Sequence, residues 1–451
     1  MAKPINRIAA VMLIAFMLLI GSLSGWAIDG PSLTARDDNP RRILDERRIL
    51  RGAILDRRGE IIVETTGKAS SYVRHSRYPD AAPFTGYYSI NYGTTGVEQA
   101  LDLVLRGTED LDVQQLQIDK LLHVYPAGRS VQLTIDLRMQ RQVDALLHEH
   151  RGAAVLLALP AGDILALSSQ PTFDPNRLDE VWHNLRNDPA APLLNRATQG
   201  HYQPGTALQP VWIAEALRRG LTTLDSAPDY PTAPVPIDSK SLSCRTTQDV
   251  VTLADALRAA CPKPVADLGP MFGGDTLWEI AASWGLTTTN VTGVQADQPI
   301  TRTDRLTSTR ALREFAAGQG ELTVSPLQMA IAMAALASGG EMPAPRIVSG
   351  TQSTDGTWRS RPGESTRRVL PQAIAQEVIQ AMNSAPDAAW HAGVGLSGPA
   401  RLLWFAGFAP VESPQYVLVV VIEQDLSDSD QEAVQIGLVL LGALSHELPN
   451  H

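Results

Sequence analysis

Two polar side chains stand three residues apart in the segment Gln203-Pro204-Gly205-Thr206-Ala207-Leu208-Gln209: a hydroxyl at Thr206 and a carboxamide at Gln209. On a helix that spacing places them on one face, a turn apart. A hydroxyl so placed could attack an acyl carbon, but only with a base within hydrogen-bond reach, because at its free pKa it is a weak nucleophile. Gln209 is not that base, since a carboxamide accepts no proton near neutral pH. The threonine methyl also crowds the oxygen and restricts χ1. The plainer role for Thr206 is the N-cap of a helix starting after Pro204-Gly205. Cys261 is the other nucleophile type, with Lys263 as the one neighbour that could depress its pKa. Histidines are scattered and Cys244 and Cys261 lack a short C-x-x-C spacing, so neither a metal nor a cofactor is expected.

The elements that would hold these groups belong to a chain of 451 residues, 44% hydrophobic and 19% charged. That is room for one large and one smaller folded domain. A net charge of −10 with no basic patch argues against nucleic acid as a partner. Ile8 to Ile28 contains no charged residue and is just long enough to cross a bilayer core. Lys3 and Arg7 precede it, so the positive-inside rule puts the N-terminus in the cytoplasm and the rest outside. A cleaved signal peptide competes, because Ser22-Leu23-Ser24 offers small residues, but the apolar run exceeds a typical signal core and favours an uncleaved anchor. In an oxidising compartment a Cys244–Cys261 disulfide is permitted, with two buried thiols as the alternative.

Asp29 to Arg48 is polar and charged and reads as a linker. Arg51 to Val63 reads as a hairpin around a polar turn closed by Gly59. Val131 to Asp136 reads as a short strand ending in a helix cap, the helix placing Val143, Leu146 and Leu147 on one face. Apolar runs 153–159 and 164–169, split by Pro160-Ala161-Gly162-Asp163, form a second hairpin. Ser325-Pro326 starts an alanine-rich helix that ends at Gly339-Gly340. Leu403–Ala409 and Tyr416–Ile422 are buried strands, and a last helix covers about Gln431 to Glu447. Strand runs separated by helices imply an α+β fold with an antiparallel sheet packed between helices.

Several of these blocks, in this order, resemble class B penicillin-binding proteins. Arg51-Gly52-Ala53-Ile54-Leu55-Asp56-Arg57-Arg58-Gly59 and Tyr92-Gly93-Thr94-Thr95-Gly96-Val97-Glu98 match the N-terminal pedestal. Leu193 to Gln209 and Gly318 to Ala330 match the transpeptidase domain. The resemblance implies residues 1–28 as cytoplasmic tip and anchor, 29–48 as linker, 49–128 as a dimerisation-like pedestal, and 129–451 as a transpeptidase domain of serine β-lactamase-like fold. In the pedestal it suggests turn glycines and an ion pair for Glu98.

Members of this family carry S-x-x-K, S-x-N and K-T/S-G motifs, with serine as the acylated nucleophile. By the resemblance, Thr206 holds the serine position and Gln209 the lysine. Ala260 and Pro262 hold the serine and asparagine of the second motif, around Cys261. Leu396, Ser397 and Gly398 hold the third, with Pro399 after the glycine. With both lysines, the second serine and the asparagine gone, no base, acid or carboxylate anchor is evident. The expectation is a pseudo-transpeptidase of peptidoglycan synthesis, acting as scaffold or regulator beside a membrane-embedded glycosyltransferase and touching peptidoglycan strands. One alternative is a surviving acyl-transferase using Thr206, with His201 or His391 as base. Another is a noncovalent sensor of peptidoglycan or antibiotic, for which Leu396 and Pro399 make carboxylate capture poorer.

Overall fold

The computed structural model describes residues 2–34, 40–69, 71–122, 124–288, 291, 305–425 and 431–446. Helix α1 (Ala2–Thr34) contains the apolar stretch Arg7–Trp26, 20 residues with none of its surface buried. Such a helix has no protein partner for its side chains among the described residues, and its length suits a bilayer. The stretch expected to be a linker is structured at both ends: α1 continues to Thr34, and α2 (Pro40–Glu46) follows. Two of its carboxylates, Asp45 and Glu46, are bonded into the pedestal. Glu46 accepts from Arg106 at 2.8 Å and from the Tyr88 hydroxyl at 2.7 Å, and Asp45 accepts from Tyr125 at 2.8 Å. The polar composition that reads as a linker supplies ion-pair and hydrogen-bond partners at its C-terminal end.

The expected first hairpin is β1 (Ile54–Leu55) and β2 (Ile61–Thr66), paired antiparallel. Asp56 holds its turn, Oδ1 accepting from the amides of Arg58 and Glu60 at 2.8 Å each, while Gly59 takes φ +87°. After β3 (Val73–Ser76) comes the Glu98 ion pair. The carboxylate is 1% exposed and bonds Arg51 at 2.8 Å and Arg74 at 2.6 Å. Strand β4 (Val131–Leu133) runs parallel to β1, and Asp136 caps α3 (Leu137–Leu147) by accepting from the Arg138 amide.

Then follow β5 (Gly152–Ala158), β6 (Asp163–Gln170) and helix α4 (Gln209–Arg218). A small hairpin has strands β7 (Val235–Ile237) and β8 (Lys240–Leu242). Helix α5 (Pro262–Phe272) precedes α6 (Pro326–Ala337), whose twelve residues are all buried behind a Ser325/Gln328 capping box. The other strands of the two large sheets are β9 (Val348–Gln352), β10 (Trp358–Ser360), β11 (Asn383–Ala385), β12 (Ala388–Ser397), β13 (Ala400–Ala409) and β14 (Tyr416–Asp425), with α7 (Glu432–His446) last.

Two six-stranded sheets result. The first has the order β10-β9-β4-β1-β2-β3, so strands from the second half of the chain complete the sheet begun by the pedestal. The second, β11-β12-β13-β14-β5-β6, is antiparallel throughout. Its central strands are apolar on both faces. Val417, Val419 and Val421 pack in the core that contains α6, whereas Leu418, Val420 and Ile422 pack in the core that contains α3 and α7. A strand alternates sides every residue, so a run covered on both faces must be apolar continuously. This is the expected α+β architecture, a sheet between helix layers.

Candidate functional site

Thr206 lies in a single 3-10 turn, Gly205–Leu208, that leads into α4, and it is 2% exposed. The N-cap role is not what its hydroxyl does: neither this turn nor α4 has a side-chain cap bond. Thr206 Oγ1 instead accepts from the amide of Val394 at 3.0 Å, and its carbonyl oxygen faces His391 Nε2 at 2.9 Å. Turn and strand β12 can approach this closely only because glycine lines the contact. A Cβ on Gly393 would lie 2.1 Å from the Ala207 nitrogen, and one on Gly205 would lie 1.9 Å from the Val394 carbonyl oxygen.

Gln209 is buried and donates through Nε2 to the carbonyl of Cys261 at 2.7 Å. It therefore ties α4 to the segment containing Ala260 and Pro262. Ala260 is 1% exposed with φ +51°, a left-handed conformation costly for a residue with a Cβ. Pro262 occupies the first turn of α5, where its missing N–H is no loss. Cys261 is bonded to Cys244, so it offers no thiol, and Lys263 is engaged with Asp267.

The third motif is displaced from its expected position. Ser397 and Ala400 face each other across a tight turn where Gly398 takes φ +53°, and both Ser397 and Gly398 are exposed. Leu396 packs beside Val235 and Leu242 of the small hairpin. None of the three makes the contact with Thr206, because the strand's closest approach comes earlier, at His391-Ala392-Gly393-Val394. That stretch keeps the terminal glycine of the three-residue pattern and puts a histidine in the leading position. Glycines at 393 and 395 inside an apolar strand were the missed signal, since strand glycine marks close backbone approach.

His391 is fully buried, and desolvation, opposed by its bond to the Thr206 carbonyl and assisted by nearby Arg245, brings its pKa down to about 4. It is neutral at physiological pH, and Nε2–H is the tautomer that the facing carbonyl demands. Nδ1 is buried without a partner. His201, the other base considered, is exposed on the segment before Tyr202. Among the described residues no cluster of three His, Cys, Asp or Glu could hold a metal ion.

Residues 152–437 match the penicillin binding protein transpeptidase domain. The chain belongs to this family. Residues 51–131 match the penicillin binding protein A dimerisation domain. The family member is 28% identical over 467 residues to the peptidoglycan D,D-transpeptidase PbpA of Mycolicibacterium smegmatis, covering 94% of each chain. It is 27% identical to PbpA of Mycobacterium tuberculosis, again over 94% of each. The imipenem acyl-enzyme of M. tuberculosis penicillin-binding protein A superposes with a TM-score of 0.78 at 26% identity, over 89% of this chain and all of that one. Against that relationship, the site of this penicillin-binding protein homologue has a threonine whose oxygen is occupied and an amide where a lysine is expected.

Proposed function

We propose that this penicillin-binding protein homologue is a catalytically inactive pseudo-transpeptidase, a scaffold or regulator within peptidoglycan synthesis. The observation that carries the reading is the bond from the Val394 amide to Thr206 Oγ1. Backbone amides beside an acyl-transfer nucleophile must be free to receive the developing oxyanion. Here such an amide is taken by the side chain that would attack. Gln209 adds no basicity, and neutral His391 addresses the carbonyl of Thr206 rather than Oγ1.

In this reading residues 8–28 span the bilayer with the N-terminus in the cytoplasm and the bulk outside, which the charges of Lys3 and Arg7 support. The pedestal meets a membrane-embedded glycosyltransferase, and the inactive domain touches peptidoglycan strands. Domain limits of 1–28, 29–48, 49–128 and 129–451 belong to the same proposal. The direct test is intact-protein mass spectrometry of the full chain in detergent with excess penicillin. No adduct is expected on the wild type. An adduct that disappears in Thr206→Ala establishes acyl transfer and overturns the reading.

A further inference from the structure

Where the pedestal meets the chain leaving α1, the fold leaves an apolar face uncovered. The helix Val113–Leu122 carries Ile118, Leu121 and Leu122 on one side, since residues three and four apart share a helix face. They are 48%, 77% and 67% exposed. Asp119 lies off that face and accepts from Gln115. The apolar surface continues past the helix. Val124 is exposed, and Tyr125 after it donates to Asp45 of α2 at 2.8 Å, which brings the exposed Leu44 of α2 to the same end of the pedestal. Beside Tyr125 lies an open groove of about 700 Å³, lined by Arg48, Leu50, Tyr72, Tyr125, Pro126 and Ala127. Single apolar side chains on a surface are ordinary, but a group of them rimmed by polar residues marks a contact.

The tether decides what lies near this face. The apolar stretch of α1 ends at Trp26, and the helix continues to Thr34, a further rise of about 12 Å. Five residues then join Thr34 to Pro40, a length that spans at most about 20 Å. The α2 end of the pedestal is therefore held within about 30 Å of the hydrocarbon that would surround α1. A surface tethered so closely meets its partner at high effective concentration, so a weak contact suffices. Tyr72 and Tyr125 have the apolar ring and polar tip that suit a boundary between water and lipid.

We infer that this face rests on the surface of the bilayer that holds α1, with Leu121, Leu122 and Val124 in the headgroup region. The occupant is lipid and the attraction is apolar. Asp112 and Asp119 in the same segment give anionic headgroups no advantage, and salt does not release the contact. The inference rests on the anchor proposed above and is independent of whether Thr206 reacts.

The experiment attaches a bimane fluorophore to single introduced cysteines in the full chain, reconstituted into phosphatidylcholine vesicles with or without nitroxide-labelled acyl chains. The native Cys244–Cys261 pair is bonded and takes no label. Leu121→Cys and Leu122→Cys report the face, Leu13→Cys the anchor, and Val251→Cys an exposed position on the transpeptidase domain. Nitroxide lipid should lower the signal about twofold at 121 and 122, at low and high salt alike, more at 13, and not at 251. With the label at Val124→Cys, adding Leu121→Glu and Leu122→Glu should abolish the quenching there at unchanged Tm. Quenching at 13 without quenching at 121 and 122 overturns the contact and leaves the anchor standing. No quenching at 13 overturns the anchor and the inference with it. Equal quenching at 251 marks nonspecific adsorption and also overturns it. Shielding of the labels in detergent that grows with protein concentration assigns the face to a second copy, and shielding only on adding a membrane protein assigns it to that protein. Either result overturns the lipid assignment.

Discussion

Thr206→Val tests whether this hydroxyl is a structural acceptor. Valine keeps the shape and the methyl of threonine while replacing the oxygen with carbon. The Val394 amide, 3.0 Å from that oxygen, would then lie buried with no acceptor there, because position 206 is 2% exposed. Leaving such a donor unsatisfied costs about 1–3 kcal/mol. At roughly 2 cal/mol/K of unfolding entropy per residue, a domain of about 320 residues (129–451) shifts by about 1.5 °C per kcal/mol, so a central cost of about 2 kcal/mol lowers Tm by about 3 °C. Thr206→Ser keeps the oxygen and loses one buried methyl, about 1 kcal/mol. Circular dichroism melts of the full chain in detergent measure both, and amide hydrogen exchange at Val394 should quicken in the valine variant alone. A valine variant that melts at or above the wild-type temperature would refute the argument. Residues kept for chemistry often behave that way, since function is bought against stability at active sites.

Further outcomes follow from neighbouring contacts. His391 has its pKa lowered from 6.5 to about 4, so the unfolded chain binds its proton first and stability falls as pH drops from 6.5 toward 4. Between pH 7.5 and 5 the wild type should lose about 2 kcal/mol more than His391→Gln in urea unfolding; parallel losses would remove His391 from the account. Glu98→Gln leaves Arg51 and Arg74 buried together without their shared anion, and should destabilise the pedestal by about 3–5 kcal/mol. A loss under about 1 kcal/mol would show the triad to be no stronger than a surface pair. Replacing Cys244 and Cys261 by alanine opens a link of separation 17, with an expected cost of about 3 kcal/mol in denaturant titrations. An unchanged denaturation midpoint would count against any stabilising role for the bond.

Much of the fold was legible because its signals are local. The turn at Asp56–Gly59, the Asp136 cap, the Ser325-Pro326 helix start and the continuous apolar runs of β13 and β14 each depend on residues close in sequence. Thr206, Gln209 and Ala260–Pro262 could be singled out from their flanks, and the fold brings these two segments together through Gln209, which donates to the Cys261 carbonyl. The third was misplaced by one short segment. Within an apolar strand, Leu396-Ser397-Gly398 looks as good a match as His391-Ala392-Gly393, and only the approach of another backbone tells them apart.

By itself the sequence determined the long apolar N-terminal segment, the α+β layering and the presence of glutamine rather than lysine three positions after Thr206, all properties of residue type and near-neighbour spacing. Tertiary structure alone decided which amide faces Thr206 Oγ1 and that Cys244 reaches Cys261. These pairings join residues far apart in the chain, and sheet register and the backbone clearance at Gly393 and Gly205 set their distances. A shift of one residue turns every side chain of a strand to the opposite face, so no local pattern specifies them.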